Sequence, residues 1–150
     1  STSKILQIVN FLKSQNQKIV LTNGCFDIIH LGHIHLLEKA KTFGDFLIVA
    51  LNSDKSVKLL KGEKRPINKV LARIKSLAAL KCVDLVVVFK ELTPLNIIKT
   101  IKPNVLVKGG DYKIEGIIGA DVVKANKGEI KIVKTVRGYS TTKLLQKQNS

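Results

Sequence analysis

His30 and His33 stand three residues apart, with Leu31 and Gly32 between them, immediately ahead of Ile34, Leu36, Leu37 and Ala40 at helical spacing. The first turn of a helix has unpaired backbone N–H groups and a partial positive charge, which together attract phosphate. Two imidazoles at that start add side-chain donors, and Gly32 leaves a ligand room to approach the backbone. A second group, Lys61, Lys64 and Arg65, falls within five residues interrupted by Gly62 and followed by Pro66. By composition it is an anion-binding loop or a solvated basic one. Lys108-Gly109-Gly110-Asp111 forms a glycine turn flanked by a lysine and a carboxylate, and Ser140-Thr141-Thr142 opens a predicted helix. Such a triplet is first an N-cap, worth about 1 kcal/mol to the helix. The same hydroxyls and amides can hold phosphates.

These groups need a scaffold that brings them to one edge. Ile19-Val20-Leu21 is too short and too uniformly apolar for an amphipathic helix, and it ends at Asn23-Gly24, so it reads as a buried parallel strand. Further strands are predicted at 46–51, 84–89, 105–107 and 129–133. Helices are predicted over 4–13, after Gly32, from Asn68 as N-cap to about 80, from Thr93-Pro94 to 98, over 117–125 and from Ser140 to 147. Lys55 to Lys69 reads as a polar segment without a continuous helix, because Gly62 and Pro66 oppose one. Arg73 lies on the 68–80 helix, off its apolar stripe. The alternation indicates a Rossmann-like, doubly wound, five-stranded parallel sheet with helices on both faces, in a single α/β domain. Ligands of such sheets bind outside the carboxyl ends of the strands, which is where the basic loop and the Lys108 turn fall.

The chain has 150 residues, 45% of them hydrophobic, enough for one domain with a core. It lacks an apolar run of the ~20 residues that a membrane span needs and a signal-peptide pattern, so a soluble cytoplasmic protein is expected, with no membrane partner. Two cysteines, Cys25 in the motif loop and Cys82 at a predicted helix end, exclude a disulfide framework. Cys25, beside the expected phosphate site, is expected to have a lowered pKa without a base to make it a nucleophile. The net charge of +15 suits anionic small substrates. The lysines are dispersed and the aromatics are only two tyrosines and five phenylalanines, so no nucleic-acid partner is expected.

Asn23-Gly24-Cys25-Phe26-Asp27 followed by His30-Leu31-Gly32-His33 resembles the signature of the HxGH nucleotidyltransferase superfamily. The segments Leu51–Asp54, Leu60-Lys61-Gly62, Arg65–Asn68, Val83-Asp84, Thr93-Pro94, Leu106–Tyr112 and Ser140–Thr142 are similar to those of the D-glycero-β-D-manno-heptose 1-phosphate adenylyltransferases. HxGH marks the superfamily; KGGDY with the LKG…RPIN loop marks this branch. In glycerol 3-phosphate cytidylyltransferases an arginine stands where this chain has Thr135, which weakens a cytidine reading.

The resemblance implies transfer of AMP from ATP to a heptose 1-phosphate, releasing pyrophosphate and giving ADP-heptose for lipopolysaccharide or surface glycans. It implies His30, His33 and Lys61 as catalytic groups. Thr22, Asn23, Gly24, Cys25, Phe26, Gly32, Lys108, Gly109, Asp111, Ser140, Thr141 and Thr142 would meet the nucleotide, and Asp27, Lys61, Arg65 and Arg73 the sugar phosphate. Mg²⁺ would arrive mainly on the triphosphate, without a protein metal site. It further implies a nucleotidyltransferase domain over 1–150, with an N-terminal helix at 1–16 and a catalytic core at 18–150, a homodimer, and a separate heptose 7-phosphate kinase as functional partner. The alternatives are a cytidylyltransferase acting on glycerol 3-phosphate or a related polyol phosphate, and a nucleotide- or nucleic-acid-binding module without turnover.

Overall fold

Successive side chains of a β-strand point to opposite faces, so a strand covered on both sides must be apolar at every position. That is the reason for the unbroken runs around Val20 and Val49. In the computed structural model, which describes residues 2–110 and 113–134, they are strands β1 (Ile19–Gly24) and β2 (Phe46–Asn52). With β3 (Leu85–Phe89), β4 (Val105–Gly109) and β5 (Glu129–Val133) they make one parallel sheet in the order β3-β2-β1-β4-β5. Ile19, Leu21, Ile48, Ala50 and Leu106 enter one core, while Val20, Leu47, Val49, Leu51, Val105 and Val107 enter the other.

Helices α1 (Thr2–Ser14), α5 (Leu95–Ile101) and α6 (Ala120–Ala125) close the first core through Val9, Leu12, Ile98, Ile101 and Val123. Helices α2 (Leu31–Lys41) and α4 (Val70–Ala78) close the second through Leu37, Ala40 and Leu77. The doubly wound expectation therefore holds. Among the described residues no helix is long and apolar enough to cross a membrane. The helix expected from Ser140 lies outside the described residues.

Four details differ from the sequence reading. Residues Asp54–Lys61 form a helix, α3, whose start is capped by Ser53 accepting the Ser56 amide and whose Ser56 and Val57 are buried. Its brevity and lysine content hid its single buried face. Asn68 is not the cap of α4; Lys69 occupies that position without a side-chain bond, and the Asn68 amide group is used elsewhere. Helix α6 begins at Ala120 after a 3₁₀ turn at Ile114–Gly116, and Cys82 lies in the turn after α4.

The two edges of the sheet are built differently. At the amino edge Asn104 Oδ1 accepts the Ile19 amide, Asp45 accepts that of Lys18, and Asp84, paired with Lys41, accepts that of Leu47. These side chains seal it. At the carboxyl edge the chain leaves β1 toward β2 on one side and returns to β4 on the other, which opens a crevice at the switch point between β1 and β4.

Leu21 is fully buried in the central strand. Leu21→Ala is expected to lower unfolding free energy by roughly 2–5 kcal/mol in a denaturant titration, whereas Phe11→Ala, on the exposed side of α1, should change it by no more than about 0.5 kcal/mol.

Candidate active site at the carboxyl edge

The crevice holds a cavity of about 610 Å³. The motif residues Asn23, Gly24, Cys25, Phe26, Asp27, His30, Gly32 and His33 line it, with Lys61, Arg65, Lys108 and Gly109 from other elements. Asp111, Ser140, Thr141 and Thr142 lie outside the described residues. Thr22 does not line the cavity: it is 1% exposed and its hydroxyl donates to the Val107 carbonyl at 2.9 Å, tying β1 to β4.

The histidines are organised by the start of α2. His30 is extended (φ −130°, ψ 176°) and its Nδ1 accepts the Gly32 amide at 3.1 Å, while the His30 amide donates to His33 Nδ1 at 3.4 Å. This reciprocal cap stacks the two rings, with centroids 3.8 Å apart and planes 23° from parallel. With Nδ1 accepting, each neutral ring carries its proton on Nε2. Burial, then the neighbouring His30 and Lys61, hold the His33 pKa down at about 4, against the opposing pull of the Ile28 carbonyl. Burial also lowers His30. The pair is therefore neutral at pH 7, the form in which an imidazole can offer one directional N–H.

Phe26 packs edge-on to His33, with centroids 5.1 Å apart. Its backbone is left-handed (φ 46°), and its ring passes so close to Gly24 that a Cβ there would lie 2.9 Å from it. A glycine two residues before the phenylalanine is the steric condition for this loop.

Asp27 and Arg73 are both held by other parts of the protein. Asp27 is 4% exposed, and its oxygens accept the Ile67 and Asn68 amides at 2.8 Å each and Arg65 Nε at 2.6 Å. Burial opposes its ionisation, but the Asn68 and Ile67 amides and Arg65 outweigh it and hold the carboxyl below the ordinary range. Arg73 was expected to reach the sugar phosphate; it is instead 1% exposed and does not line the cavity. Its guanidinium donates to the carbonyls of Asn68, Cys25 and Asn52 and to Asp54, at 2.7–2.9 Å. Each charge is met by backbone groups and one opposite side chain, Arg65 for Asp27 and Asp54 for Arg73.

Cys25 also departs from expectation. Its thiol is raised, because burial exceeds the lowering effect of Lys61 and Arg73. Lys108 is lowered chiefly by burial, with Lys61 adding to the effect and Cys25 opposing it. Among the described residues four cationic side chains, Lys61, Arg65, Lys108 and Lys134, line the cavity. Asp27 is its one carboxylate among the described residues, and no group of three or more His, Cys, Asp or Glu there could hold a metal ion. The lining thus suits polyanions and gives a divalent cation no donor set of its own.

Sequence reasoning missed Asn52, which ends β2 inside the crevice, and the apolar wall of Leu60, Phe89, Leu92 and Ile118. The strand-end rule that located Lys108 could have located Asn52. The wall residues carry no chemical signature.

A family model described as cytidylyltransferase-like matches residues 21–147. The chain is 52% identical over 145 residues, 97% of its length, to the bifunctional protein HldE of Koribacter versatilis, and 53% identical over 140 residues to that of Geobacter metallireducens. It spans 30% and 29% of the length of these relatives. Among solved structures, a lipopolysaccharide core biosynthesis protein from Thermoplasma volcanium superposes with a TM-score of 0.64 and 29% identity, over 80% of this chain and 97% of that one. A pantoate-beta-alanine ligase from Francisella tularensis, at 21% identity and a TM-score of 0.67 over 91% of this chain and 66% of that one, shares the fold.

Two outcomes follow from this geometry. Arg73→Met should cost roughly 3–5 kcal/mol of stability, because it orphans buried carbonyls, and Arg73→Lys should not restore it; chemical denaturation checks both. A histidine held neutral by burial makes the unfolded chain the better proton acceptor, so stability should fall as pH drops from the ordinary 6.5 toward about 4, and His33→Gln should flatten that slope.

Proposed function

Because the chain belongs to the cytidylyltransferase-like family, we propose that it is a nucleotidyltransferase that moves AMP from ATP onto D-glycero-β-D-manno-heptose 1-phosphate. The observation that carries this reading is the convergence of the two neutral histidines with Lys61, Arg65 and Lys108 on one cavity. Half-identity to proteins named HldE supports it, as do the LKG…RPIN and KGGDY segments.

In this reaction an oxygen of the sugar phosphate forms a bond to the α-phosphorus of ATP as the bond to the bridging β-oxygen breaks, and the pair of electrons leaves with pyrophosphate. No proton transfer and no covalent enzyme intermediate is required. The protein's work is to hold two polyanions in line, a placement worth on the order of 7–11 kcal/mol in well-oriented systems. His30 and His33 donate Nε2–H to phosphoryl oxygens that gain charge. Lys61 and Arg65 neutralise the acceptor phosphate, which would otherwise repel the triphosphate. Asn23, Gly24, Cys25, Phe26, Gly32, Lys108 and Gly109 surround the nucleotide, joined by Asp111 and by Ser140, Thr141 and Thr142 at the polyphosphate. Mg²⁺ accompanies the triphosphate and screens its charge.

A homodimer in the cytoplasm, and a kinase that acts earlier on the heptose, are the partners this reading calls for. The test is pyrophosphate release with ATP or CTP paired with heptose 1-phosphate or glycerol 3-phosphate. Release with ATP and the heptose alone is expected; release with CTP and glycerol phosphate would move the chain to a cytidylyltransferase role, and silence in all four would end the enzyme reading. His33→Ala should lower kcat by about 10²–10³-fold with the fold intact, since it removes a preorganised donor.

A further inference from the structure

Arg65, one of the cations that line the cavity, lies in the segment 62–68, which apolar burial does little to hold. Leu60 ahead of the segment and Ile67 within it are about half exposed, and Gly62 has φ 110°, a conformation that breaks the helix before it. Within the segment the backbone bonds are local, Gly62 to Lys58 and Arg65 to Gly62. Apart from the exposed Lys58–Glu63 pair, its side-chain bonds beyond the segment converge on two residues, and three of them end on one carboxylate.

That carboxylate is Asp27. Arg65 Nε and the amides of Ile67 and Asn68 donate to it, and Asn68 Nδ2 returns a bond to the Asp27 carbonyl at 2.6 Å. The other anchor is Arg73, whose Nε donates to the Asn68 carbonyl. Holding an arginine through Nε leaves its two Nη groups, and among the described residues those of Arg65 have no protein partner. Arg65 lines the cavity, so the free fork is available to an anion there. A guanidinium fork matches two oxygens of one phosphate.

We propose that Asp27 is a positioning residue: it latches residues 65–68 to the motif loop and turns the Arg65 fork toward the acceptor phosphate. This rests on the proposed function for the identity of the acceptor, but the latch itself does not. It also accounts for an aspartate that borders the cavity while both of its oxygens are engaged by the protein. The latch requires the ionised carboxylate, which the lowered pKa preserves through the neutral range.

The test is Asp27→Asn, read by hydrogen exchange, by inorganic phosphate binding and by steady-state kinetics. Expected are exchange at least about tenfold faster in peptides covering 62–69 with β2 unchanged, phosphate binding weakened about tenfold, and KM for the sugar phosphate raised about tenfold while KM for ATP moves less than about twofold. Unchanged exchange overturns the latch. Faster exchange with unaltered phosphate binding, or with both KM values rising together, overturns the positioning role. If the wild-type chain turns over no acceptor, the heptose reading falls, and exchange and phosphate binding still decide this inference. Should Asp27→Asn fail to fold, Asn68→Ala, which keeps the carboxylate and removes the return bond, should move both of those readouts in the same direction by a smaller factor; no movement overturns the proposal.

Discussion

The site depends on a buried guanidinium. Arg73 reaches from α4 into the space beneath the motif loop and donates to the carbonyls that follow β1 and end β2, to the carbonyl before α4, and to Asp54 in the first turn of α3. An isolated charge there would be prohibitive, and the arrangement persists because each partner is an oxygen whose own hydrogen-bonding need is met by the same group. Strand ends are where a parallel sheet leaves carbonyls without ladder partners. Arg73 satisfies them from behind, which frees the front of the same loop to face a ligand.

On that support the cavity separates two electrostatic tasks. Lysine and arginine supply net positive charge, while the histidines are pushed toward neutrality by burial and, at His33, by His30 and Lys61. A neutral imidazole with Nδ1 occupied gives one directed N–H donor without adding repulsion to an already basic site. In the proposed reaction the field would bring polyanions in, and the histidine cap would decide where their oxygens settle. Because the cap is also the start of α2, the donors are as rigid as the helix.

The parts legible in sequence were those whose signal is local. Both-sided burial leaves an uninterrupted apolar run, so the strands and their parallel arrangement could be read directly, and the His30–His33 spacing at a helix start needs only four residues to be recognised. Arg73 could not be read this way: its partners Cys25, Asn52, Asp54 and Asn68 are scattered along the chain, and an arginine off an apolar stripe ordinarily faces water. The direction of the Cys25 shift was missed for a related reason, since nearby cations are visible in the sequence and burial is not. Helix α3 escaped notice because a short lysine-rich segment ahead of a glycine resembles a loop until Ser53 and the buried Val57 are seen in place. Asp27 belongs to the same class, its three donors lying about forty residues away.

The measurement that bears most directly on the account is a pH titration of the ¹⁵N-resolved imidazole spectrum of the protein, free and saturated with a non-hydrolysable ATP analogue. Neutral Nε2–H rings at His30 and His33 in the free protein are predicted, with both Nε2–H signals shifting on binding and the His33 midpoint rising above its free value of about 4 as phosphate oxygens approach. Imidazole signals that stay unchanged while the nucleotide saturates the protein, or rings that carry their protons on Nδ1, would contradict it.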